Sequence, residues 1–277
     1  MRKINILNIE IDNLFLTEAL EKITSGLVFT PNVDHIMKLQ KDPDFLKLYN
    51  SADYKLCDSQ IVIYASNFLG TPIKQKISGS DFFPAFYTYH KNNKNIKIFL
   101  LGGPPGVSTK AKENINKKVK REIVVGDYSP SFGFENNPQE CAEIVEMINK
   151  SGATVLAVGV GSPKQENWIY AHKDKLPNVK IFLAIGATIN FEAGDLKRAP
   201  KFLSKIGLEW LHRLFSEPQR LWKRYLVEDL PFIYLIVKQK IRFNINSRQR
   251  IKQLNQKSEV RSKHQLVRES KHCLVQD

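Results

Sequence analysis

Between residues 27 and 195, short β-branched or aromatic runs alternate with longer helix-like segments, a pattern that predicts an α/β fold built on a largely parallel sheet flanked by helices. Two further observations sharpen this. Three of the clearest strands run straight into glycine, as the strand-to-helix turns of an open, Rossmann-like sheet do. Positive charge is also gathered at one end: residues 197–277 carry 19 Lys and Arg against 7 Asp and Glu, a balance of +12 within a whole-chain charge of +14. The expected organisation is a core over residues 1–195, a basic, amphipathic helical appendage over 196–245, and a polar, poorly ordered tail over 246–277.

The elements follow from local pattern. Residues 1–14 alternate apolar and polar side chains like a strand, and they lack the continuous apolar stretch and small-residue cleavage site of a signal peptide. Clear strands are expected at Ile96-Lys-Ile-Phe-Leu-Leu101, Glu122-Ile-Val-Val125, Thr154-Val-Leu-Ala-Val158 and Val179-Lys-Ile-Phe-Leu-Ala-Ile185. The first runs into Gly102-Gly103, the third into Gly159 and Gly161, and the fourth into Gly186. Helices fit between them. Residues 105–120 place Val107, Ala111, Ile115 and Val119 four apart, and residues 138–150 place Cys141, Ile144, Val145 and Ile148 on one side, with Pro138 at the start. After Asp195 the texture turns basic and aromatic, with a break at Pro218.

Composition excludes several classes. A 277-residue chain that is 42% hydrophobic has enough apolar mass for one large core. Cys57, Cys141 and Cys273 are far apart and odd in number, so neither a disulfide framework nor a zinc site is indicated. The longest apolar run near the C-terminus, residues 231–237, falls well short of the ~20 needed to cross a bilayer. A cytoplasmic location is therefore expected.

Three constellations can carry chemistry. Gly102-Gly-Pro-Pro-Gly106 lies after a strand and before a helix, where backbone N–H groups can approach a phosphate. A tight turn with no ligand explains it equally well. The segment Val158 to Trp168 clusters Ser162, Lys164, Gln165 and Glu166 at the end of a buried strand. Gln165 can donate and accept, which suits a uracil edge, a ribose or a diphosphate oxygen; the plain alternative is a helix starting at Ser162-Pro163 with Glu166 in its first turn. The third is Thr30-Pro-Asn-Val-Asp34 together with Asp58. A carboxylate at a cleft mouth can serve as a general base, but an Asp before a Ser is also an ordinary helix cap.

The strings Thr30-Pro-Asn32, Ala52-Asp53 with Asp58, Phe99-Leu-Leu-Gly-Gly103, Gly159-Val-Gly-Ser-Pro-Lys-Gln-Glu166, Phe191-Glu-Ala-Gly194, Lys197-Arg-Ala-Pro200 and Gly207-Leu-Glu-Trp-Leu-His-Arg213 occur in this order. In that arrangement the chain resembles the WecG/TagA/CpsF family, glycosyltransferase family 26, from about residue 30 to 225. The resemblance implies an inverting transferase, independent of metal and of any other cofactor. Such enzymes move a sugar such as N-acetylmannosamine, its uronic acid or glucose from a UDP donor to a polyprenyl-diphosphate-linked sugar.

Carried over by position, the resemblance makes Asp58 the catalytic base, Thr30 and Asn32 the pair lining the acceptor side, and Gln165 a substrate contact. Nucleotide contacts fall to Gly102, Gly103 and Gly186, and to Arg213, Arg220, Lys223 and Arg224 of the appendage, whose cations would close over the diphosphate. Two departures stand out: many relatives have Asp-Gly where this chain has Asp58-Ser59, and Lys223 stands where relatives often carry arginine.

The appendage also interleaves Trp210, Leu214, Phe215, Trp222, Tyr225 and Leu226 with cations, as docking on an anionic membrane surface requires. A solvated basic face over a core stripe would have the same sequence. Peripheral attachment to the inner face of the plasma membrane and a homo-oligomeric core are further expectations from the resemblance. A nucleic-acid partner is not expected, because no helix-turn-helix, RNA-recognition or zinc-finger pattern reads bases. A nicotinamide-dependent oxidoreductase lacks its GxGxxG and the acidic residue ~20 positions on.

Overall fold

In the computed structural model the described residues are 2–196, 211, 214–215, 218–223 and 227–245. A six-stranded, wholly parallel sheet forms the centre, in the order β4-β3-β8-β7-β5-β6. Its strands are β3 (Gly26–Phe29), β4 (Tyr54–Lys55), β5 (Ile98–Gly102), β6 (Val124–Tyr128), β7 (Val155–Gly159) and β8 (Ile181–Ala184). The four strands expected from sequence are all present, each starting one or two residues later than its apolar run. The predicted α/β class with a parallel sheet and flanking helices is what the chain adopts.

The alternating N-terminus is a hairpin rather than one strand. Leu7 takes a φ of 54°, which reverses the chain between β1 (Lys3–Ile6) and β2 (Ile9–Asp12). This hairpin attaches to the sheet edge through a buried bond: Asp12 Oδ2 accepts the Lys55 N–H at 2.7 Å. Burial pushes the Asp12 carboxyl up and the Lys55 ammonium down, and Lys55 Nζ donates to the Ala52 carbonyl at 2.9 Å.

Helices cover both faces. One layer holds α1 (Leu16–Lys22), α5 (Gly79–Tyr89), α6 (Val107–Val119) and α9 (Thr188–Ala193), since α6 packs on α9, α9 on α5 and α5 on α1. The other holds α2 (Val33–Leu39), α3 (Pro43–Asn50) and α8 (Lys164–His172), with α7 (Pro138–Ser151) joined to α8 where Trp168 Nε1 donates to Cys141 Sγ. Helix α4 (Gln60–Leu69) packs beside β1. In α5 the spacing i, i+4 buries Phe82 on Phe86 and Phe83 on Tyr87, with ring centroids 5.7 and 5.4 Å apart. Full burial of each such ring stabilises the fold by about 1.5–3 kcal/mol.

This layering sets the location of a site. The chain leaves β5 and β8 toward the first layer but leaves β7, which lies between them, toward the second. Neighbouring strands whose exits diverge open a crevice at their carboxyl ends. The turns there are packed to contact. A Cβ on Gly102 would lie 2.5 Å from the Gly159 carbonyl oxygen, and one on Gly159 would lie 2.5 Å from that of Gly186.

By contact the chain divides into residues 1–232 and 233–277. The first unit ends with α10 (Pro218–Lys223) and the start of a helix over residues 231–245, here α11. The described part of the second unit is the rest of α11, in which Ile236 is buried while Ile233, Tyr234, Val237, Ile241 and Phe243 are exposed. The expected tail, 246–277, lies outside the described residues, as do residues 197–210, 212–213, 216–217 and 224–226 of the expected appendage. Among the described residues no helix is long and apolar enough to cross a membrane.

Gly159→Ala is expected to destabilise the protein by at least ~2 kcal/mol, because the methyl meets fixed backbone. Gly152→Ala, at a φ of +65° with nothing within 4 Å, should cost only about 1 kcal/mol of local strain. Urea unfolding followed by circular dichroism measures both, and equal losses would refute the close approach of the turns.

Candidate active site

The acceptor side grows out of β3 and β4. Their ladder continues beyond the strands: Leu56 N–H donates to Phe29 O and Asp58 N–H to Pro31 O, both at 2.9 Å. That pairing carries Asp58 alongside Pro31 and Asn32. On its other side, Ile77 N–H donates to the Cys57 carbonyl at 2.7 Å. Thr30 is buried, and its hydroxyl donates to Ala184 O at 3.4 Å, which ties this corner to β8. Asn32 caps α2 by accepting the His35 N–H at 3.0 Å.

The helix-cap alternative for Asp58 is resolved by α4, whose cap is Ser59, accepting from Val62 N–H at 3.4 Å. The half-buried Asp58 carboxyl therefore sits one residue before the cap, at the mouth of the strand ends. Cys57 beside it is no nucleophile, because burial pushes its thiol up to about 12.

The middle of the site is the β7 turn. Gln165 is 2% exposed and Glu166 0%. Gln165 Oε1 accepts the Gly186 N–H at 3.1 Å, and its Nε2 donates to Glu166 Oε1 at 2.9 Å. The base edge or ribose contact considered from sequence thus meets a side chain already engaged at both ends. Burial pushes the Glu166 carboxyl up, opposed by the Gln165 bond, by a backbone bond, by the adjacent Ser162 hydroxyl and by the charge of Lys38. Lys38 also clamps the corner, donating to Asp34 Oδ2 at 2.8 Å and to Ser162 O at 3.3 Å.

A helix does start directly after Ser162-Pro163 with Glu166 in its first turn, as the plain alternative has it, but Ser162 does not cap it. The residue preceding α8 is Pro163, after a cis bond, with no side-chain cap, and Ser162 Oγ is buried without full hydrogen-bond geometry to any partner. Lys164 turns to Glu135, with which it forms an ion pair.

The third corner is the β5 turn, where Gly102 and Gly103 take φ values of +139° and +77°. It leads into α6, whose cap residue, Gly106, offers no side chain to the first-turn N–H groups. The Ser129 hydroxyl donates to Pro104 O at 2.9 Å and braces the turn from the β6 side.

Thr30, Asn32, Asp58, Gln165, Gly186, Gly102 and Gly103 accordingly line up along the carboxyl ends of five adjacent strands, β4-β3-β8-β7-β5. Of the appendage cations, Arg213 and Arg224 lie outside the described residues, and so does the side chain of Arg220; Lys223 is exposed at the end of α10. Among the described residues no three His, Cys, Asp or Glu side chains cluster as metal ligands would. Sequence reasoning missed Lys38, a lone lysine in a helix whose partners Asp34 and Ser162 are supplied by different parts of the fold.

A model of the glycosyl transferase WecG/TagA/CpsF family matches residues 4–246. The N-acetylglucosaminyldiphosphoundecaprenol N-acetyl-β-D-mannosaminyltransferase of Staphylococcus aureus is 27% identical over 254 residues, covering 86% of this chain and 93% of that protein. The match takes in the hairpin, the whole strand-end array and α11. With the family model matched over residues 4–246 of its 277, the chain that carries this strand-end row is a glycosyltransferase of the WecG/TagA/CpsF family.

Proposed function

We propose that the protein transfers a sugar from a UDP-sugar to a polyprenyl-diphosphate-linked acceptor in a single inverting displacement. The observation that carries this is the strand-end row, with a carboxylate at one side, Asp58, and backbone-rich glycine turns at the other. The donor diphosphate lies against the turns at Gly102, Gly103 and Gly186, where N–H groups and helix starts favour negative charge. The acceptor hydroxyl lies between Thr30, Asn32 and Asp58. Asp58 takes the hydroxyl proton as the oxygen bonds to the anomeric carbon. The bond from that carbon to the diphosphate breaks on the opposite face, and its electron pair leaves on UDP.

Arg213, Arg220, Lys223 and Arg224 neutralise the departing diphosphate, a role that fixed cations fill without a metal ion. The staphylococcal relative's name supports an N-acetylglucosamine-diphosphate-polyprenol acceptor and an N-acetylmannosamine donor.

Attachment to an anionic membrane surface, on the cytoplasmic side where UDP-sugars are made, is part of the same reading. In α11 the exposed Ile233, Tyr234, Val237, Ile241 and Phe243 are interleaved with Lys238, Lys240 and Arg242. Apolar side chains that enter the headgroup layer beside cations that pair with its phosphates are what a peripheral helix uses.

UDP release from a panel of UDP-sugars, with and without a short-chain polyprenyl-diphosphate-N-acetylglucosamine, is expected to be acceptor-dependent for one donor. Asp58→Asn should lower kcat by about 10²–10⁴-fold while UDP binding by calorimetry is kept; a variant with most of its turnover would remove Asp58 as the base. The triple variant K238E/K240E/R242E should cut co-sedimentation with anionic vesicles more than ~10-fold, at ~1 kcal/mol per cation. Unchanged sedimentation would place membrane attachment elsewhere.

A further inference from the structure

Glu166 has no role in the mechanism above, yet it is the more deeply buried member of the Gln165 pair. A terminal amide can be turned over, exchanging its oxygen and nitrogen, and its partners decide which way it stands. The Gly186 N–H can only donate, so it holds Oε1. Glu166 Oε1 accepts Nε2–H, so it holds the nitrogen. A protonated Glu166 could donate to a turned-over oxygen, but Gly186 would then lose its acceptor.

Simple cohesion does not account for this arrangement. The backbone ladder already joins the two strands here, with Ile185 N–H on Val158 O at 2.9 Å, and Thr30 adds a tie to Ala184. Glu166 Oε2, moreover, is buried with the adjacent Ser162 hydroxyl beside it but without full hydrogen-bond geometry. A buried carboxylate is an expensive way to hold a turn that an apolar or amide side chain would fill at lower cost. What the carboxylate supplies is a fixed direction for the amide beside it.

We infer that Glu166 is a positioning residue: by taking one Nε2 proton of Gln165 it fixes the amide, keeps Oε1 on the Gly186 turn, and leaves Gln165 only its second N–H to offer. The group that Gln165 selects is then an acceptor oxygen, of a diphosphate or a sugar, rather than a donor. The turnover part of this rests on the transferase reading. The bracing of Gly186 does not.

The test uses the full-length protein as E166L, Q165M, Q165M/E166L and the exchanged pair Q165E/E166Q. The readouts are hydrogen exchange at the Gly186 amide by NMR, and kcat and KM from acceptor-dependent UDP release. E166L is expected to speed Gly186 exchange and to lower kcat by about tenfold each, while adding E166L to Q165M changes either by less than about twofold, since Glu166 acts through Gln165. Equal effects of E166L with and without Gln165, or unaltered Gly186 exchange in E166L, would overturn the inference.

Q165E/E166Q keeps volume, charge, the pair bond and an acceptor for Gly186, so it decides the matter even if E166L does not fold. It should retain Gly186 protection and lose about tenfold or more in donor kcat/KM, because an oxygen replaces the offered N–H; wild-type kcat/KM would show that Gln165 offers no proton. If the unaltered protein transfers no sugar from any donor, the transferase reading fails, and Gly186 exchange still decides the role of Glu166.

Discussion

The side-by-side contact of the Gly102, Gly159 and Gly186 turns is the constraint on which the rest of the site depends. A Cβ on Gly102 would collide with the Gly159 carbonyl and one on Gly159 with the Gly186 carbonyl, so the ends of β5, β7 and β8 approach one another through main-chain atoms. Side chains at such a position would push the strand ends apart and fill the crevice with apolar groups. With glycine there, the crevice is lined by peptide N–H and C=O groups, which suit a diphosphate far better than a hydrocarbon surface does.

Polar cross-links extend that row toward β3 and β4. Thr30 reaches β8, Gln165 reaches the Gly186 turn, and Lys38 joins α2 to the turn after β7. Each bond spans two elements that the sheet brings together, and the Thr30 and Gln165 side chains that make two of them are buried. In such surroundings a satisfied hydrogen bond fixes geometry well, while an unsatisfied atom is costly. Glu166 Oε2 and Ser162 Oγ, buried together without full hydrogen-bond geometry, are the weakly satisfied polar atoms beside the site.

Glycosyl transfer needs these features together. A single displacement requires the attacking hydroxyl and the departing diphosphate on opposite sides of one carbon, hence a proton acceptor at one end of a cleft and positive or N–H-rich surface at the other. In the proposed reading the order β4-β3-β8-β7-β5 provides that separation within one sheet, since Asp58 follows β4 and the Gly102 turn follows β5. Membership of the WecG/TagA/CpsF family makes the protein a glycosyltransferase, and the proposed roles of Asp58 and the glycine turns are consistent with that membership.

Much of this was legible in the sequence, where the information is local. Side-chain periodicity marked β5 to β8, α6 and α7 to within a few residues, and glycine after an apolar run marked the turns. The two short strands β3 and β4 were not individually legible, since four and two residues carry too little periodicity, and neither was the hairpin reversal at Leu7. Asp58 stood out as a carboxylate, but only the geometry of α4 showed that Ser59 does the capping. Gln165 read as a versatile donor and acceptor; the fold commits its oxygen to Gly186, 21 residues away, and one N–H to Glu166. By itself the sequence determined the longer strands and helices of the core, the glycine turns after them and the basic C-terminal third, because propensity, periodicity and charge act over a few residues. The tertiary structure alone decided which strand ends adjoin and which way each buried polar group faces, because those depend on pairings between segments that no local pattern encodes.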